Sequence, residues 1–242
     1  MNETSARGTT AAEVLLFASG WPRRTFIVTG AFATLLCLTA LEVRMLWLGR
    51  PAFAYFVWNL FLAWVPLALQ AVRGAWLELR ALKWLAIPLD AAWLLFLPNA
   101  PYLVTDLIHL RERAPVPMWF DVLIFLGFAA TGCWLGLVSL DAFLRRVPRG
   151  RAIRAVFAAA ICGLCGYGVF LGRFYRFNSW DVLRDPLALL APAQHVEALA
   201  FSSGLAVFFG AQLMVLRAVQ RPAATASAPL PRRGASDRTH RP

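Results

Sequence analysis

The run WFDVLIFLGFAATGCWLGLVSL, Trp119–Leu140, is 22 residues long and carries a single charged side chain, Asp121, near its start. A helix needs about 20 predominantly apolar residues to cross the roughly 30 Å hydrocarbon core of a bilayer, and this run meets that need. Five further runs have the same character: Thr25–Leu41, Ala52–Val72, Leu82–Val104, Ala152–Leu171 and Val196–Leu216. The expected fold class is therefore all-α, a polytopic membrane protein with about six transmembrane helices. Composition agrees. Of the 242 residues 60% are hydrophobic and only 15% charged, with a mean hydropathy of +0.60, well outside the range of soluble domains.

Charge position sets the expected orientation. Lys83 is the lone lysine, so the net charge of +11 rests on arginine. Seventeen of the 24 basic residues fall in the amino-terminal segment, Arg73–Lys83, Arg145–Arg154 and the tail after Leu216. By the positive-inside rule both termini are expected in the cytoplasm. Three parts follow: a cytoplasmic segment over 1–24, one membrane domain over 25–217, and a disordered basic cytoplasmic tail over 218–242. Arg23-Arg24-Thr25-Phe26-Ile27 resembles a twin-arginine export signal, but more membrane helix follows it rather than an exportable domain. It is read as the basic anchor of the first span. The partner expected from this pattern is the lipid bilayer, and no nucleic acid.

All four cysteines, Cys37, Cys133, Cys162 and Cys165, lie inside the spans and are read as small apolar packing residues. Cys162 and Cys165 have redox-pair spacing, but no second Cys or His pair accompanies them. Gly132 with Gly136, and Gly168 with Gly172, each share a helix face and invite close backbone approach. The fourth and fifth spans are expected to be central.

The third span departs from the others. Trp84–Leu97 supplies about 21 Å of helix by rise, short of the bilayer core, before Pro98-Asn99-Ala100-Pro101 interrupts it at Pro98–Pro101. Each proline removes a backbone donor and pushes its predecessor away from helical angles. Irregular backbone at that depth is tolerated only where protein buries it or water lines it, and interrupted helices frame binding sites in transporters. Beyond the break, Tyr102, Thr105, Asp106 and His109 share one face at helical spacing. Asp106 and His109 are the candidate catalytic residues, with Asp106 orienting His109 as a proton carrier or the two meeting a metal. Two ligands are too few to hold most metals, so no metal and no cofactor is assigned. The plainer reading is an interfacial amphipathic helix.

The loop after the fifth span, Gly172-Arg-Phe-Tyr-Arg-Phe-Asn-Ser-Trp-Asp181, alternates cations, aromatics and hydrogen-bonding groups. Arg173 and Arg176 carry the forked donors that grip phosphate or carboxylate. Asn178 and Asp181 have either a ligand-binding role or that of a helix-start cap. Asn59 lies about 10 Å into the second span by helix rise, close to the depth of Asn99. Asn59 and Asn99 are expected to bind ligand, each other, or carbonyls freed at the break. Asp90, in the other half of the third span, is expected to pair with an arginine such as Arg145.

The stretches NLFLAWVPL from Asn59, WLLFLPNAPYLVTDLIHL from Trp93, WFDVLIF from Trp119 and GVFLGRFYRFNSWDV from Gly168 resemble the uncharacterised bacterial integral-membrane proteins of domain-of-unknown-function family 1361. The resemblance covers most of the membrane domain and leaves out the first span and the tail. It implies a bacterial inner (cytoplasmic) membrane location and a shared fold, and carries no known activity.

Three functional classes remain open from the sequence. The first is an extracytoplasmic site for an anionic lipid headgroup or small-molecule ligand, built from Asn59, Asn99, Asp106, His109, Arg173, Asn178 and Asp181, with an enzymatic version. The second is a transporter or channel past the interrupted helix, lined by Asp90. The third is a non-catalytic assembly partner.

Overall fold

A computed structural model describes residues 24–78, 84–147, 150–187, 189 and 196–220. Each expected run is helical over most of its described residues. The helices are α1 (Arg24–Leu48), α2 (Tyr55–Glu78), α3 (Ala86–Phe96), α4 (Asn99–Thr105), α5 (Met118–Arg146), α6 (Arg151–Phe170) and α7 (Val196–Gln220). A 3₁₀ turn, Asp106–His109, finishes α4, and a π turn, Leu171–Tyr175, finishes α6. With α3 and α4 taken together, six helical segments among the described residues are long and apolar enough to cross a membrane, the solution hydrocarbon demands because a helix satisfies its own backbone. The protein is a multipass, all-α membrane protein. The segment expected over 1–24 and the tail over 218–242 lie outside the described residues, apart from Arg24 and 218–220, which extend α1 and α7.

α5 is the central post. Among the described residues it is also the longest helix, 29 residues, or about 43 Å by rise, with Asp121 in its first turn and Arg145 and Arg146 in its last, each favourable for the helix dipole. Two apolar clusters pack on it. One joins α1, α2 and α4 around Leu41, Phe56, Ala100, Phe125 and Phe128; the other joins α3, α6 and α7 around Trp93, Leu97, Cys162, Cys165 and Phe209. Cys162 and Cys165 are thus buried packing residues with free thiols. The fifth span is less central than expected: α6 leans on α7, where a β-carbon at Gly166 would stand 2.4 Å from the Ser202 carbonyl oxygen.

The glycine pairs explain how the proline break is housed. A β-carbon at Gly132 would lie 2.4 Å from the Ala100 carbonyl oxygen, and one at Gly136 would lie 2.8 Å from Ala100 Cβ. From α6, Gly168 meets Pro98 at 2.5 Å and Gly172 meets Tyr102 at 3.3 Å, measured the same way. The interrupted segment is therefore clamped between two glycine faces. Leu97 and Pro98 keep right-handed helical angles, so the break is a tightening rather than an unwound gap. The Ala100 N–H donates to Leu97 O at 3.1 Å, leaving Phe96 O without its regular helical donor. Asn99 Nδ2 supplies the replacement at 2.9 Å.

At the far end of the bundle, Asp90 pairs with Arg73 at 2.6 Å instead of Arg145. Arg145 binds Asp141 one helical turn earlier at 2.8 Å, and Arg217 joins the same carboxylate at 3.0 Å. Charge alternation along the sequence does not fix which arginine reaches which acid; helix rotation does.

Candidate functional site

A cavity of about 760 Å³ lies between α2, the α3–α4 strut and the end of α6. Each helix contributes one stripe. Tyr55, Trp58, Asn59 and Leu62 on α2 follow the i, i+3, i+4, i+7 spacing of a single face. Leu95, Asn99, Tyr102, Asp106 and His109 continue one face through the break, possible because the tightened turn keeps the helical phase. Gly168, Gly172, Arg173 and Arg176 come from α6 and its π turn. Such a turn inserts a residue into the helical ladder and is a frequent feature of functional sites. It ends at Arg176, which takes a left-handed φ of 60°.

Asp106 is the anchor. It is 2% exposed, and both its oxygens are engaged: Asn59 Nδ2 donates to Oδ2 at 3.0 Å and Arg173 Nη1 donates to Oδ1 at 3.2 Å. A buried carboxylate requires such pairing. Arg173 Nη1 also donates to the Tyr102 hydroxyl at 3.4 Å, and Nη2 lies 2.8 Å from His109 Nε2. A guanidinium has only donors, so His109 Nε2 accepts, which puts the imidazole proton on Nδ1 of a neutral ring. Tyr55 meets that ring edge-on at 6.0 Å. The arginine therefore stands between the two residues the sequence paired: Asp106 bonds Asn59 and Arg173, and His109 bonds Arg173.

Of the alternatives open to Asn99, the structure shows the bond to a carbonyl freed at the break and no bond to Asn59. The Asn99 amide donates to Phe96 O and, at 3.0 Å, to Ser179 Oγ, tying the break to the loop after α6. Asn178 lines the cavity, while Asp181 is turned to local capping. Asp181 Oδ2 accepts from the Asn178 backbone N–H at 2.7 Å and from its Nδ2 at 3.2 Å. This is the reach-back half of a capping box, with the acid accepting over the start of the turn. Six of the seven expected residues thus line one cavity, and Asp181 supports its rim.

A family model described as "Protein of unknown function (DUF1361)" matches residues 58–216. The chain belongs to this family. The matched region holds all seven of those residues and leaves out α1 and Tyr55. No curated protein and no solved structure matches the chain.

Sequence reasoning passed over Tyr55, Trp58, Tyr167 and Ser179 as lining residues. The α2 stripe was visible as a spacing, but aromatic residues near a membrane boundary are routine, and only the facing α6 gives this face a purpose. Tyr167 donates its hydroxyl to Leu189 O, fastening the later loop to the cavity wall. Arg176 is exposed and lines the cavity; its backbone N–H donates to Leu171 O, while its guanidinium has no hydrogen bond or ion pair to any described residue. Among the described residues no group of three or more His, Cys, Asp or Glu side chains is placed to hold a metal ion.

Proposed function

We propose that this cavity binds a small anionic ligand or lipid headgroup and opens at the extracytoplasmic face of a bacterial inner membrane. Both termini lie in the cytoplasm on this reading, because the arginine-rich connections are at the end of the bundle opposite His109. The observation that carries the proposal is the pair of guanidiniums lining one cavity. Asp106 neutralises and fixes Arg173, and the Arg176 guanidinium has no acidic partner among the described residues. A fixed guanidinium beside a free one suits a planar or tetrahedral oxyanion.

In the enzymatic version His109 acts as general base or acid and Arg173 neutralises the substrate. His109 Nε2 would first have to leave Arg173, so binding has the stronger support. A transport route has less: Asp90 is paired with Arg73 outside the cavity, and Trp93 and Leu97 are packed into the core. The assembly-partner reading has no contact that favours it.

The test is thermal stabilisation of the purified protein by inorganic phosphate and pyrophosphate against chloride at constant ionic strength. Stabilisation that Arg176→Gln and Arg173→Gln both weaken supports the reading. Equal responses to all anions, unchanged in both variants, would remove it. For the enzymatic version, full complementation of a deletion strain by His109→Ala would exclude a catalytic role for that residue.

A further inference from the structure

The cavity is chemically graded along its length. Its rim carries Asp106, Arg173 and Arg176, and its deep end is lined by Leu62, Leu94, Leu95 and Leu164. From Leu164 to Phe170, before the π turn that carries Arg173, α6 advances about 9 Å, and from Leu95 to Asp106 the strut advances about 16 Å, at 1.5 Å per residue. A free oxyanion would fill the rim and leave the deep end without an occupant. The deep end is also open sideways. Leu95 is 37% exposed and Leu164 53% exposed, both inside membrane spans, where the surrounding solvent is lipid chain rather than water.

We infer that the ligand is a phosphate-bearing lipid that enters from the bilayer between α2 and α6, with its phosphate at Arg173 and Arg176 and its chain along Leu62, Leu95 and Leu164. This rests on the anion-site reading above and adds the tail and the route. Water at the rim and hydrocarbon at the deep end match the two halves of one amphiphile. The aromatic side chains of Trp58 and Trp180, which also line the cavity, sit where amphipathic rings favour a membrane interface. The net charge of the three rim groups, one acid against two arginines, selects an anionic headgroup over a neutral one.

The experiment compares three probes on the purified full chain in detergent by native mass spectrometry and thermal shift: dioctanoyl phosphatidic acid, inorganic phosphate and dioctanoylglycerol. Phosphatidic acid should bind at least tenfold more tightly than phosphate, and dioctanoylglycerol should bind at least tenfold more weakly than phosphatidic acid. Leu95→Trp and Leu164→Trp enlarge exposed side chains and leave the packed core intact. They should reduce phosphatidic acid binding several-fold without changing the response to phosphate, whereas Arg176→Gln should reduce both. Equal affinity for phosphate and phosphatidic acid, indifferent to both tryptophan variants, would overturn the lipid inference and leave the anion site standing. Binding of dioctanoylglycerol as tight as phosphatidic acid would overturn it as well, because charge would not be read. If neither anionic probe binds, the anion site fails and the lipid inference fails with it.

Discussion

Two acid–arginine pairs stand at the same end of the bundle, and they differ in what lies beyond the arginine. Arg44 and Asp121 join α1 to α5 and are both 0% exposed. Phe53 closes over Arg44, its ring centroid 4.1 Å from the guanidinium carbon, and also receives Arg113 at 4.8 Å. Phe53 holds a left-handed φ of 65°, a conformation costing on the order of 1 kcal/mol for a residue with a β-carbon, and its edge-on contact with Phe125 at 5.0 Å helps keep it there. Asp106 and Arg173 join α4 to the π turn, and beyond that arginine there is a cavity. The same chemistry serves as a sealed clamp in one place and an open rim in the other.

The comparison breaks if the sealed pair is not the costlier one to lose. Asp121→Ala leaves Arg44 buried without its partner and should destabilise by about 3–5 kcal/mol, read from unfolding in detergent. Asp106→Ala removes a charged hydrogen bond from an arginine that reaches the cavity, and should cost about 1.5–3 kcal/mol. A larger loss for Asp106→Ala than for Asp121→Ala would reverse the assignment of clamp and rim.

The rim depends in turn on the glycine clamp around the proline break. Gly132→Ala drives a methyl group into the Ala100 carbonyl, a backbone atom that cannot step aside, for a cost of about 1–3 kcal/mol. Gly163→Ala, with nothing within 4 Å of the new methyl, should be neutral or gain up to about 1 kcal/mol in helix propensity. Matching effects at the two positions would mean the break is not held by close packing. The smallest stability change belongs to Arg176→Gln, within about 0.5 kcal/mol, although phosphate binding should fall about tenfold, or about 1.4 kcal/mol. A variant that lost stability and kept binding would move Arg176 from the rim to the scaffold.

Much of the site was legible residue by residue. The depth of Asn59 and Asn99, the shared face of Asp106 and His109, and the forked donors at Arg173 and Arg176 follow from spacing alone. So does the need for glycine at positions 132, 136, 168 and 172, although their partners, Ala100, Pro98 and Tyr102, do not. Three pairings came out differently: Asn59 bonds Asp106 rather than Asn99, Asp90 meets Arg73 rather than Arg145, and Arg173 stands between Asp106 and His109. Each depends on how far a helix is turned about its own axis.

The sequence by itself determined the membrane class, the six spans and the place where the third is interrupted. These follow from the transfer cost of each residue and from proline's missing donor, quantities that add along the chain without reference to any neighbour in space. Tertiary structure alone decided the rotation of each helix, and with it which acid meets which arginine, where a sealed core gives way to a cavity, and how a broken helix is held at membrane depth. Rotation is set by side chains meeting across helices, in this protein by glycine faces that admit a proline-bearing segment, and no single run of residues contains both sides of that contact.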